Sequence, residues 1–266
     1  MARYKLTLAY DGSEFFGSQR QALTKTRTVQ GELEKALRKL GWTGRSVILS
    51  GRTDTGVHAT GQVASVDLDW SHSDEELVRA LNAALPTDLA VHGAGKVPSR
   101  FHPRFDALSR RYRYRLFCQP LRDPLRERFA WRVWPALNGA ALAETAKLFL
   151  GTHDFSAFGS PTTPKGGTVR TVMKAVWSQT HDAEDEWRFD VQANAFLYRM
   201  VRRLVFVQVA VAQGKVSAEI LAHALADPAS AGAGSENVPA GLAPAQGLTF
   251  VEVAYAYKQR IESMGQ

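Results

Sequence analysis

The first ten residues alternate: Tyr4, Leu6, Leu8 and Tyr10 fall on one side of an extended chain, with Arg3, Lys5 and Thr7 on the other. A period of two marks a strand with one buried face, so the chain is expected to open with one. After a loop the period becomes that of a helix. Val29, Leu33, Leu37 and Leu40 form one stripe, and Thr28 just before them is a suitable cap for the first free N–H groups. SVILS (46–50) and Gly61–Leu68 read as strands, with GRTDTGVHA connecting them. Ser73 and Glu76 spell a capping box ahead of Leu77, Leu81 and Leu85, and Asp88–Val97 completes this half as a strand. The order β-α-β-β-α-β is that of the split βαβ, ferredoxin-like arrangement, in which both helices cover one sheet face.

The same order can be read again further on. A strand is expected over 106–118, a helix over 138–150 capped by Asn138 and stopped by Gly151, and strands over 168–180 and 187–193. A helix over 196–213, ended by Gly214, and a strand over 248–257 follow. A short extra helix after Ser217 leads into DPASAGAGSENVPAGLAPAQG, whose small and turn-forming residues argue for a loop, and the tail KQRIESMGQ is expected to fray. The expected fold is therefore α+β: two ferredoxin-like (βαββαβ) mixed-sheet halves, residues 1–100 and 101–266, flanking a basic cleft.

Composition narrows this picture little. With 45% of its 266 residues hydrophobic, the chain has ample material for one large core or two medium ones. No window approaches the ~20 continuous apolar residues of a membrane span, and MARYKLTLAY lacks a signal peptide's apolar stretch, so a cytoplasmic protein is expected. Cys118 is the only cysteine and the seven histidines lack paired spacings, which argues against a disulfide or a metal site. The net charge of +7 permits an anionic partner without establishing one. Its distribution says more: Arg100, Arg104, Arg110, Arg111, Arg113 and Arg115 face a single acid, Asp106, and Arg199, Arg202 and Arg203 form a second group. Such clusters suit phosphates.

The most suggestive chemistry lies in SGRTDTGVHATGQ (50–62), where Asp54 stands among small residues with Arg52 two positions before it and His58 four after. The loop can be read as a plain tight turn. It can also be read as a presented carboxylate: a nearby arginine would keep the acid ionised, and small neighbours would let a polymer backbone approach.

The wider sequence bears on that choice. GRTDTGVHATGQ resembles the catalytic-loop signature of the tRNA pseudouridine synthase A family, and YDGSEFFGSQRQ, FHPRFDALSRRYRY, GTHDFSAF, ANAFLYRMVRRLV and APAQGLTFVEVAY resemble five further segments of that family in the same order. The resemblance implies an enzyme that isomerises uridine to pseudouridine at positions 38, 39 and 40 of the tRNA anticodon stem-loop, without cofactor, as a homodimer. It places the family's catalytic aspartate on Asp54, acting either on the uracil ring or at the ribose. Arg52 would pair with Asp54 and help turn the target nucleotide out of its stack. Tyr112 would stack on the uracil and could take the C5 proton, although Tyr112 and Tyr114 share one strand face and either could be core. Arg202 would pair with Asp54, unless its guanidinium snorkels to the surface. Leu248 would wall the base or simply fill the core, and His58 would contact RNA or satisfy backbone groups. Arg110 and Arg111 are candidate phosphate contacts.

Two positions depart from the family's pattern: Ser18 stands where Trp is usual, and Phe206 falls in a stretch after MVR that commonly holds a small residue and a glycine. RNA contacts near the first and helix packing near the second are expected to differ. A rival reading is a non-catalytic RNA-binding protein of RRM-like topology, but RRYRYRLF lacks the glycine of an RNP-type strand. A phosphate-ester hydrolase would want further carboxylates to hold magnesium, which the loop does not offer.

Overall fold

The computed structural model describes residues 1–21, 26–163, 166–180, 183–228 and 238–256. Within them the chain is mixed α+β, with ten strands and six α-helices. It divides into two compact units, Met1–Arg110 with the chain from Thr249 onward, and Arg111–Leu248.

In the first unit, β1 (Ala2–Tyr10) pairs antiparallel with both β3 (His58–Leu68) and β4 (Leu89–Val97). The short β2 (Ile48–Leu49) adds antiparallel to β3, and β10 (Leu248–Tyr255) lies parallel to β3 through Thr249 and Phe250. The alternation read at the start of the chain has its expected cause: Tyr4, Leu6, Leu8 and Tyr10 are buried while their neighbours are half-exposed. Helix α1 (Val29–Lys39) is capped by the Thr28 side chain, which accepts from the Gly31 N–H. Helix α2 (Asp74–Ala84) starts with the Ser73–Glu76 capping box, both of its bonds formed. Each helix buries its apolar stripe through fully buried leucines, Leu33 and Leu37 in α1, Leu77 and Leu81 in α2, with α2 packed on β4 and α1 beside α2.

The second unit contains β5 (Ala107–Cys118, in this unit from Arg111), β8 (Val169–Thr180) and β9 (Ala183–Ala193) in the order β5-β9-β8, with β7 (Gly151–Asp154) outermost and β6 (Trp131–Val133) parallel to β5. Helix α4 (Gly139–Leu148) is capped by Asn138 as expected, α5 runs over Met200–Ala212 and α6 over Ala218–Ala226. Gly214 ends α5 in the left-handed region, at φ 69°.

Several boundaries differ from the sequence reading. Helix α5 begins at Met200 and not at 196, because Arg199 precedes it in a left-handed conformation (φ 62°) that no helix can continue through. Strand β3 starts three residues earlier than expected, so His58 and Ala59 are already paired. Helix α3 (Pro124–Glu127), β6 and β7 are too short to carry a period and were not anticipated. Of the loop 227–247, residues 229–237 lie outside the described residues, as does the tail from 257. No helix among the described residues is long and apolar enough to cross a membrane.

Candidate active site

The loop that carries Asp54 links Ser50 to β3, and the bonds that hold it come from the chain's first motif and from Gln62 of β3. The hydroxyl of Tyr10 lies 2.9 Å from Thr53 Oγ1. The Thr53 N–H donates to Ser18 Oγ (2.8 Å), and the Ser18 N–H donates back to the Thr53 carbonyl (3.1 Å). Gln62 on β3 donates to the Gly51 carbonyl (2.9 Å) and accepts from the Ser50 hydroxyl (2.7 Å). On the far side of the turn the Val57 N–H donates to the Asp54 carbonyl (3.2 Å), and His58 Nδ1 accepts the Gly12 N–H (3.0 Å). That bond requires a lone pair on Nδ1, so the Asp11 carboxylate oxygen 3.2 Å from the same atom is a neighbour and not its hydrogen-bond acceptor. Tyr10, Ser18, Thr53, His58 and Gln62 are all buried. Asp54 itself is half-buried and Arg52 is exposed.

Close backbone approach is built into the same region. A Cβ on Gly12 would sit 2.1 Å from the Val57 carbonyl oxygen, and Gly17, at φ 83°, brings its Cα up to the Thr53 carbonyl. Burial pushes the Tyr10 phenol up to about 12, with the hydrogen bonds to Thr53 and Gln62 pulling the other way. It is a neutral hydroxyl at any physiological pH.

Of the candidate residues, Asp54, Arg52, His58 and Arg110 belong to the first unit, and Arg111, Tyr112, Arg202 and Leu248 to the second. His58 is only 5% exposed, so of its two readings the one that satisfies backbone groups fits its place. Arg110 donates to the carbonyls of Arg104 (2.6 Å) and Ser50 (3.3 Å), the latter at the root of the Asp54 loop.

In the second unit the two tyrosines of RRYRYR part ways. Tyr114 is fully buried, its hydroxyl donating to the Pro244 carbonyl (2.8 Å), and burial raises its pKa well above the ordinary phenol value. Tyr114 is core. Tyr112 is 9% exposed and meets Phe196 edge-on, with ring centres 5.1 Å apart. The arginines of β5 are also divided: Arg113 bonds both carboxylate oxygens of Asp190 and Arg115 both of Glu186, while Arg111 is 3.7 Å from Asp190. Two members of the expected phosphate-facing cluster are thus committed to acids of β9, a pairing invisible in the chain because the partners are more than 70 positions away.

Arg202 is half-buried, and its Nε donates to the Ala243 carbonyl (2.8 Å), while the Ala243 N–H donates to the Arg202 carbonyl (3.2 Å). Arg203 reaches the carbonyls of Val238 (3.0 Å), Pro239 and Gly241 (3.0 Å). Burial lowers its pKa from the ordinary arginine value. Phe206 lies against Gly241, where a Cβ would be 2.3 Å from the ring. The side chain at 206 therefore packs against Gly241, two residues before the closing segment. Leu248 is buried at the start of β10. Tyr10, Thr53 and Gln62 carry no signal of their own as site residues, being uncharged residues inside motifs; Ser18 stands out only as a departure from the family's pattern, and its bond to Thr53 is visible only in the fold.

A family model described as tRNA pseudouridine synthase matches residues 7–106 and 145–256. Among curated relatives, a protein of Solidesulfovibrio magneticus named tRNA pseudouridine synthase A is 43% identical over 259 residues, 96% of this chain and 92% of its own length. Proteins of the same name from Chloroflexus aurantiacus and Shouchella clausii are 40% and 38% identical over 259 and 256 residues, each covering 96% of this chain and 89% and 94% of their own. The matched span includes the Asp54 loop, the MVRR helix and the closing segment, so the chain belongs to the tRNA pseudouridine synthase family.

Proposed function

We propose that this protein isomerises uridine to pseudouridine in tRNA, at positions 38, 39 and 40 of the anticodon stem-loop, with Asp54 as the nucleophile. The reaction breaks the bond from C1′ to N1, forms one from C1′ to C5, moves a proton onto N1 and releases the one on C5. It needs no redox group, only a carboxylate held where the extruded nucleotide arrives. The observation that supports this most is the way Asp54 is presented: half-buried, with the residue before it and the turn after it fixed by hydrogen bonds, on a loop of small residues.

In this reading Arg52, exposed on the same loop, enters the stem and favours the flipped nucleotide. Tyr112 supplies the stacking face and a phenol for the C5 proton, Arg202 offsets the charge on Asp54, and Leu248 walls the base. Arg110 and Arg111 contact phosphates, and His58 supports the loop beside them. The reading also takes residues 1–100 and 101–266 as two ferredoxin-like halves flanking a basic cleft, in a cytoplasmic homodimer. The strand orders β4-β1-β3 and β5-β9-β8 support the two halves.

The test uses tRNA tritiated at uracil C5 and follows release of label into water. Wild-type protein is expected to release it, and Asp54→Asn to lower release by at least a thousandfold while still binding tRNA. Binding without release by the wild type would favour the RNA-binding rival; release by Asp54→Asn would remove Asp54 as nucleophile.

A further inference from the structure

We infer that Ser18 is a positioning residue for Asp54, acting through Thr53. This rests on the reading of Asp54 as nucleophile. Ser18 is fully buried, so its side chain offers nothing to RNA directly, and the change from the family's usual Trp is felt inside the protein. What its side chain does is accept the Thr53 N–H at 2.8 Å. Its own N–H returns a bond to the Thr53 carbonyl, and its carbonyl accepts from the Gln30 N–H (2.9 Å) in the first turn of α1. A continuous chain of hydrogen bonds thus runs from the helix to the residue before Asp54.

Residues 51–57 lie in no strand, so no ladder of backbone hydrogen bonds fixes the chain leading into Asp54. Thr53 is fixed instead at all three of its polar groups, the N–H and carbonyl by Ser18 and the hydroxyl by Tyr10. Among the described residues the Ser18 hydroxyl is the side-chain acceptor of the Thr53 N–H, in the Arg52–Thr53 peptide one residue before Asp54. Losing that acceptor would leave a buried N–H unsatisfied, and the cheapest relief is for the peptide to rotate. A rotation there swings the carboxylate, and displacements of about 1 Å at a reacting group can cost about a hundredfold in rate. Gly17 makes the arrangement possible: its positive φ lets Ser18 turn in, and a Cβ would press on the Thr53 carbonyl at 3.0 Å.

The experiment measures single-turnover tritium release and tRNA dissociation constants for Ser18→Ala, Ser18→Thr and Asp54→Asn beside wild type. Ser18→Ala is expected to slow the turnover about tenfold to a hundredfold with tRNA affinity within twofold, and Ser18→Thr, which keeps the acceptor oxygen, to recover most of the rate. A Ser18→Ala rate equal to wild type while Asp54→Asn is inactive overturns the inference and leaves Asp54 standing. A rate that falls only in step with affinity, or that Ser18→Thr does not recover although it folds, also overturns it. Should Ser18→Ala fold poorly, Ser18→Cys, a weaker acceptor of similar size, is expected to fall between wild type and the inactive extreme; full activity there would count against the role. Full activity in Asp54→Asn would instead remove the reading on which the inference rests.

Discussion

Two irregular segments, one in each unit, are held by the same device made from different materials. Thr53 and Ser18 exchange two hydrogen bonds, as do Ala243 and Arg202, in each case one from the backbone of either partner and one through a side chain. At Thr53 the partners are short, neutral and buried. At Ala243 they are guanidinium groups reaching out from a helix, Arg202 to Ala243 and Arg203 to the three carbonyls before it. Short buried side chains have little rotamer freedom to lose and hold a fixed distance, whereas a long arginine spends considerable conformational entropy to reach its acceptors. The first clasp suits a group whose position must be exact to a fraction of an ångström. The second suits a segment that must only be kept down.

The sharpest way to break this contrast is Gly12→Ala. The added carbon would lie 2.1 Å from the Val57 carbonyl, which is backbone and cannot step aside without moving the turn that follows Asp54. A loss of about 3 kcal/mol of stability is expected from such overpacking, with tritium release falling more than a hundredfold. Thermal unfolding and the release assay check the two parts separately. Should the variant be stable and active, the loop is softer than its hydrogen bonds suggest, and the contrast with the second unit disappears.

Arg203→Ala is expected to cost less. It removes bonds to three carbonyls but leaves Arg202 and Ala243 joined, so about 1–2 kcal/mol of stability and a several-fold loss of rate are anticipated. A larger rate loss than that of Ser18→Ala would reverse the comparison and make the arginine clasp the more exacting of the two.

The smallest expected effect concerns Tyr10. Its folded pKa of about 12 lies above the ordinary value near 10, so both states stay protonated below pH ~10 and the unfolded chain alone loses the proton above it. Stability from this group is therefore complete at neutral pH and declines as pH rises from about 10 towards 12. Tyr10→Phe is expected to be about 1 kcal/mol less stable than wild type at pH 8, from the lost bond to Thr53, with the gap narrowing over that range in denaturant titrations. A gap independent of pH would mean that Tyr10 is more solvated than its burial implies.

Where the sequence was legible, the reason is local. Thr28, Ser73 and Asn138 cap helices because a cap needs only a side-chain oxygen within three residues of the N–H it accepts. The buried face of β1 is legible because alternation is a property of the extended chain itself. Glu34 shows the limit: on an otherwise amphipathic helix it reads as a solvated acid, yet it is fully buried, accepting from the Val47 N–H and from Gln30 and Arg20. The same limit separated Tyr112 from Tyr114, which share a strand face and a residue type. Pro244, 130 positions away, marks Tyr114 as core.

By itself, then, the sequence determined which of the longer stretches become helix or strand, because period and capping act over a few residues, and through the resemblance of its motifs it pointed to one acid, Asp54. Only the tertiary structure decided how that acid is held. The groups that fix Thr53 and Gly51 come from Tyr10, Ser18 and Gln62, the first two 43 and 35 residues from Thr53 and the last 11 from Gly51. A hydrogen bond between distant positions leaves no period, charge or spacing in the chain; it exists only once folding has brought donor and acceptor together and removed the water that would otherwise satisfy both.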